Sequence, residues 1–121
     1  KRESDDVWNV YTHGGRKKTN LNVIDYCKEA ESLGAGEILL TSMDKDGTKT
    51  GFDNELLKKI TSKINIPVIA SGGVGNLDHL YDGITKGGAS AVLAASIFHF
   101  GEFRISDVKR YLADKKLPVR I

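Results

Sequence analysis

Three short segments hold the polar residues best placed for chemistry, and each follows an apolar run. They are Thr41-Ser42-Met43-Asp44-Lys45-Asp46-Gly47-Thr48, Ala70-Ser71-Gly72-Gly73-Val74-Gly75 and Ala94-Ala95-Ser96-Ile97-Phe98. The second carries the sharpest signal. Adjacent Gly72 and Gly73 let the backbone approach a ligand closely with its N–H groups bare. A helix beginning at Asn76 would bring its positive end nearby, and the two features together suit a phosphate. A plain tight turn with a capping asparagine is the bland alternative. The Ala95-Ser96 segment is small and hydroxylated and would face the same spot from a neighbouring strand. In the first segment, Asp44 and Asp46 are two apart, so an extended chain projects both to one side. Asp46-Gly47-Thr48 could then hold a hydroxylated or phosphorylated substrate, or form only an Asx turn. Thr41 and Ser42 must face opposite ways.

The remaining candidates are weaker. His13, His79 and His99 lack the spacing of metal ligands, and no metal is expected. His79 falls on the polar side of a helix, and His99 follows an apolar run and reads as loop. Cys27 falls on an apolar helix face, which makes it a core thiol rather than a nucleophile. Gly73-Val74-Gly75 does not extend to a third glycine, and no Gly-Lys-Ser/Thr occurs. The dinucleotide fingerprint and the P-loop are therefore both missing, and no cofactor is expected. Arg16-Lys17-Lys18 beside Gly14-Gly15 makes a basic tip that could meet an anionic substrate or simply be solvated.

These segments must be positioned by regular elements. Asn20-Leu21-Asn22 supplies caps for a helix with Ile24, Cys27, Ala30 and Leu33 on one face, stopped by Gly34 and Gly36. Glu37 to Met43 is too short for a typical helix and reads as a strand buried on both faces. Asp53 or Asn54 caps a second helix with Leu56, Leu57, Ile60 and Ile64 inward. Val68–Ser71 is the second strand. Asn76 caps a third helix with Leu77, Leu80, Tyr81 and Ile84 inward, closed by Gly87-Gly88. Ala91–Ser96 is the third strand, and Ser106 caps a last helix with Val108, Tyr111 and Leu112 inward. The first 20 residues differ: Val7 to Thr12 is rich in β-formers and Gly14-Gly15 is a turn, so a small antiparallel flap is expected.

The strand runs start near residues 38, 67 and 91, a spacing of roughly 25 residues that fits β–α units with helical crossovers and a parallel sheet. A closed (β/α)₈ barrel needs about 250 residues, and this chain has 121. One partial domain over residues 1–121 is therefore expected, an α/β half-barrel with an N-terminal β-flap. In such barrels ligands sit beyond the C-terminal ends of the strands, where the three segments fall. Composition agrees. The net charge is +2, from 18 Lys and Arg against 16 Asp and Glu, which gives no nucleic-acid face. No apolar run is long enough for a membrane span. One cysteine fits a reducing cytoplasm.

Three longer stretches then point to a family. Gly34 to Gly51, Pro67 to His79 and Ala91 to Phe100 resemble the cyclase subunit of imidazole glycerol phosphate synthase, in the C-terminal half of its barrel. Tyr11 to Lys17 resembles that family's flap, and Leu117 to Ile121 its C-terminus. The resemblance implies βα units five to eight of a barrel in histidine biosynthesis. Such an enzyme uses ammonia from a glutaminase partner to convert a phosphoribulosyl aminoimidazole carboxamide nucleotide into imidazole glycerol phosphate and aminoimidazole carboxamide ribotide. It implies a phosphate site of Asp46, Gly47, Gly72, Gly73, Ala95 and Ser96, with Thr41 and Ser71 lining the pocket. Glu37 would match a gate for ammonia at the opposite end of the strand. The family's two acid–base aspartates match no position here; one is expected just before Lys1. The piece alone is then expected to be inactive.

Three other readings stay open. A paralogous amidotransferase-coupled barrel acting on a nucleotide sugar would share the ammonia route, and the isomerase that precedes the cyclase shares the Asp44 to Thr48 loop. A non-catalytic phosphate-binding or assembly half-barrel is the third class, and its bare inner face and sheet edges predict self-association.

Overall fold

The computed structural model describes residues 1–121 as two three-stranded sheets with five helices. Strands β1 (Arg2–Ser4), β2 (Val7–Thr12) and β3 (Lys17–Asn22) form an antiparallel sheet in the order β1-β2-β3. Helix α1 (Val23–Ser32) follows directly. The Asn22 side chain caps it, accepting from the amides of Ile24 and Asp25, so two of its otherwise orphaned donors are satisfied. Strands β4 (Ile38–Thr41), β5 (Val68–Ser71) and β6 (Ala91–Val92) form a parallel sheet in chain order. Helices α2 (Asn54–Thr61) and α3 (Leu77–Thr85) are the crossovers. A short α4 (Ser96–His99) and then α5 (Ile105–Asp114) complete the chain. This α/β arrangement is consistent with part of a (β/α) barrel. No helix is long and apolar enough to cross a membrane.

The core lies between the parallel sheet and its helices. Ile60, Leu80, Ile97 and Val68 are fully buried there, and burying each such side chain contributes about 1.5–3 kcal/mol. The periodic positions Leu56, Leu57, Ile60 and Ile64 all face inward, as their spacing requires.

Helices cover only one face of the parallel sheet. The expectation that β4 is buried on both faces therefore fails. Ile38 and Leu40 pack against the core, while Leu39 is 58% exposed. Register places Leu39, Ile69 and Ala91 in one row across the sheet, and Thr41 beside Ser71 in a second. That uncovered face carries apolar residues at one level and hydroxyls at the next.

Four further expectations are corrected. Leu33 is 81% exposed, because it is the C-cap of α1 and lies past the buried stripe of Val23 and Cys27. The third strand is Ala91–Val92 only; Ser96 and His99 belong to α4, whose turn closes by His99 N–H donating to the Ala95 carbonyl at 2.8 Å. The cap of α5 is Arg104 rather than Ser106, because the Asp107 carboxylate reaches back to the Arg104 amide at 2.9 Å. Asp44 and Asp46 do not project together, because residues 43–47 turn rather than extend.

Asp53 links α2 to the antiparallel sheet. One carboxylate oxygen caps α2 by accepting from Leu56 N–H at 3.0 Å, and the other accepts from the indole N–H of Trp8 at 3.0 Å. Trp8 is 1% exposed, with the Arg2 guanidinium 5.0 Å from its ring centre, a distance at which a cation is attracted to the ring face.

Candidate functional site

The parallel register sets the site. Thr41 and Ser71 end adjacent strands as partners, and the Leu93 amide continues the ladder by donating to the Ala70 carbonyl at 2.8 Å. The three loops that follow are thereby delivered to one end of the sheet.

The loops after β4 and β5 lock together through main chain. Ser42 N–H donates to the Ser71 carbonyl at 3.2 Å, and Asp46 N–H to the Ser42 carbonyl at 2.9 Å. Gly51 N–H donates to the Gly73 carbonyl at 2.7 Å. Contact is so close that glycine is required. Gly72 and Gly73 have φ of +94° and +109°, and a Cβ on Gly73 would lie 2.1 Å from the Gly51 carbonyl oxygen. Behind them, Gly75 N–H donates to Nδ1 of His79 at 3.0 Å. His79 therefore supports the glycine loop from the first turn of α3, a role its polar-face position did not reveal.

A cavity of about 230 Å³ opens at this end. Thr41, Asp46, Gly47, Ser71, Gly72, Gly73, Ala95 and Ser96 all line it. The amides of Gly72, Gly73, Ala95 and Ser96 donate to no acceptor in the chain. Bare amides in one lining are the groups an anion-binding concavity uses. Lys49 also lines it, and sequence reading passed over it as one more charge in a polar loop. The lining stops at Val74, so Asn76 and the start of α3 stand outside. Asn76 caps α3 instead, accepting from His79 N–H at 3.0 Å.

Asp44 is likewise outside the cavity. Its carboxylate accepts from the Arg2 amide at 2.7 Å and so serves the β1 segment. His13, His79 and His99 stay apart, and no group of three or more His, Cys, Asp or Glu residues gathers as a metal site would.

A second cavity, of about 650 Å³, runs along β4 from Glu37 to Thr41 and on to Asp46. Thr41 and Asp46 line both cavities. Glu37 is exposed and makes no ion pair. Cys27 lies on the wall of the larger cavity but is 3% exposed, and burial raises its thiol pKa above the ordinary value. A thiol held protonated is a poor nucleophile, in keeping with a core role.

The family model described as Histidine biosynthesis protein matches residues 1–104. Its members are barrel isomerases and cyclases of histidine biosynthesis, and this chain belongs to that family.

Proposed function

We propose that the 230 Å³ cavity binds a phosphate group of the substrate of an imidazole glycerol phosphate synthase cyclase. The observation that carries this reading is the convergence of Asp46, Gly47, Gly72, Gly73, Ala95 and Ser96 on one cavity with four unsatisfied amides. Bare amides stabilise a dianion at fixed positions without reorganising. Thr41 and Ser71 then place hydroxyls where the sugar part of the ligand would continue along the sheet. The Ala95-Ser96-Ile97-Phe98-His99-Phe100 ending favours the cyclase over the isomerase, which shares the Asp44 to Thr48 loop.

In this reading the larger cavity along β4 carries ammonia from Glu37 to the substrate, and a glutaminase subunit docks at the Glu37 end. Both acid–base aspartates of the family match no position among these residues. The 121-residue chain is thus a binding and guiding piece of a half-barrel, and on its own it turns over no substrate, because general acid–base catalysis needs positioned groups.

Calorimetric titration with inorganic phosphate and with imidazole glycerol phosphate tests the site. Millimolar or tighter binding is expected for both, with the product binding more tightly. No heat at millimolar ligand refutes the proposal. Release of imidazole glycerol phosphate by the isolated chain would refute the inactive-piece reading.

A further inference from the structure

Only two charged residues line the small cavity, Asp46 and Lys49. A phosphate carries nearly two negative charges near neutral pH. Asp46 repels it, and the amides supply only partial charges. Lys49 is therefore the one full positive charge in the lining that can offset both.

Three features show how it is held. Its ammonium donates to Glu102 Oε1 at 2.6 Å, in an ion pair whose side chains are 47% and 37% exposed. Glu102 follows α4 and does not line the cavity. The Lys49 backbone is left-handed, with φ of +56°, a conformation that favours glycine and is strained for a long side chain. Its carbonyl lies against the glycine loop, so that a Cβ on Gly75 would come 2.4 Å from it. The Cα of Lys49 is thus pinned beside the anion cradle while its four-carbon stem remains free to turn. An exposed ion pair is weak and easily exchanged.

We infer that Lys49 is the cation of the anion cavity and that Glu102 parks it, so that an arriving phosphate takes Lys49 from Glu102. This rests on the phosphate reading of the cavity. Glu102 then sets affinity from outside the site by competing with the ligand.

The test titrates the full chain with inorganic phosphate by calorimetry, at low and high salt, for wild type, Lys49→Met, Glu102→Gln and Gly73→Ala. Lys49→Met is expected to weaken binding about tenfold and to flatten its salt dependence. Glu102→Gln is expected to tighten binding two- to five-fold, a gain that a merely structural ion pair could not give. Thermal melts report folding, and Lys49→Met should melt within a few degrees of wild type. Wild-type binding that Gly73→Ala abolishes but Lys49→Met leaves unchanged overturns this inference alone. Unchanged or weakened binding in Glu102→Gln overturns the parking role. No wild-type binding overturns the cavity reading itself and this inference with it.

Discussion

Gly51 and Gly73 are joined backbone to backbone, the amide of the first donating to the carbonyl of the second at 2.7 Å. This bond welds the loop after β4 to the loop after β5 at the mouth of the small cavity. Gly73→Ala places a methyl 2.1 Å from the Gly51 carbonyl oxygen and strains a φ of +109°. A loss of about 2 kcal/mol or more is expected, together with loss of phosphate binding. Denaturant melts and calorimetry check both; a variant that folds and binds like wild type contradicts the close approach.

Asp53 serves two partners, and its removal should cost more than an ordinary cap. Asp53→Ala loses the cap on Leu56 N–H and strands the Trp8 indole N–H. A destabilisation of about 2–3 kcal/mol is expected. Trp8, the single tryptophan, reports it directly by a shift in fluorescence. Asp53→Asn keeps one acceptor oxygen, enough for only one of the two donors, and should recover part of the loss.

Much of this was legible in sequence, for definite reasons. Asn22 and Asn76 cap where their side chains allow, and the Gly72-Gly73 pair marks a close approach because no other residue fits it. The convergence on one cavity followed from reading strand ends as parallel neighbours. What failed was long-range or local in ways a pattern does not encode. Leu39 looked like core because a run of apolar residues does not say which face is covered. Lys49 escaped notice, and His79 was weighed only as a metal ligand, because their partners Glu102 and Gly75 come near only in the folded chain. Asp107 overrode Ser106 as the organiser of α5, a contest between two good capping residues that spacing alone leaves undecided.

Ser42 is buried at 5% exposure, and its hydroxyl has no partner. Its main chain does the structural work, through the bonds to Ser71 and Asp46. Ser42→Ala should therefore be neutral or stabilising by up to about 1 kcal/mol, since it removes an unsatisfied buried polar group. A clear fall in melting temperature would show that the hydroxyl has a partner after all.

Tyr111 ties α5 to α3 by donating its hydroxyl to the Asp78 carboxylate. That bond, and the carboxylate's charge, push the phenol up to about 12. A raised pKa means the bond stabilises the fold fully below the ordinary phenol range, near pH 10. The contribution fades as pH rises towards about 12. Tyr111→Phe should thus lower the melting temperature at pH 8, and the gap from wild type should narrow above pH 10. Ultraviolet titration should show a phenol titrating at about 12 that is missing in the variant.

The uncovered face with Leu39 and Ile69 is expected to pair with a second copy of the chain. Leu39→Glu should shift the population towards monomer in sedimentation velocity without lowering the melting temperature at dilute protein. A wild-type chain that stays monomeric at high concentration refutes the pairing.

The cradle around residues 72 and 73 is made of peptide groups rather than side chains. On the proposed phosphate reading, substitutions nearby would change which molecule arrives without dismantling what grips its charged end. A lineage carrying this loop could drift from one reaction to another and still keep its handhold on phosphorylated metabolites.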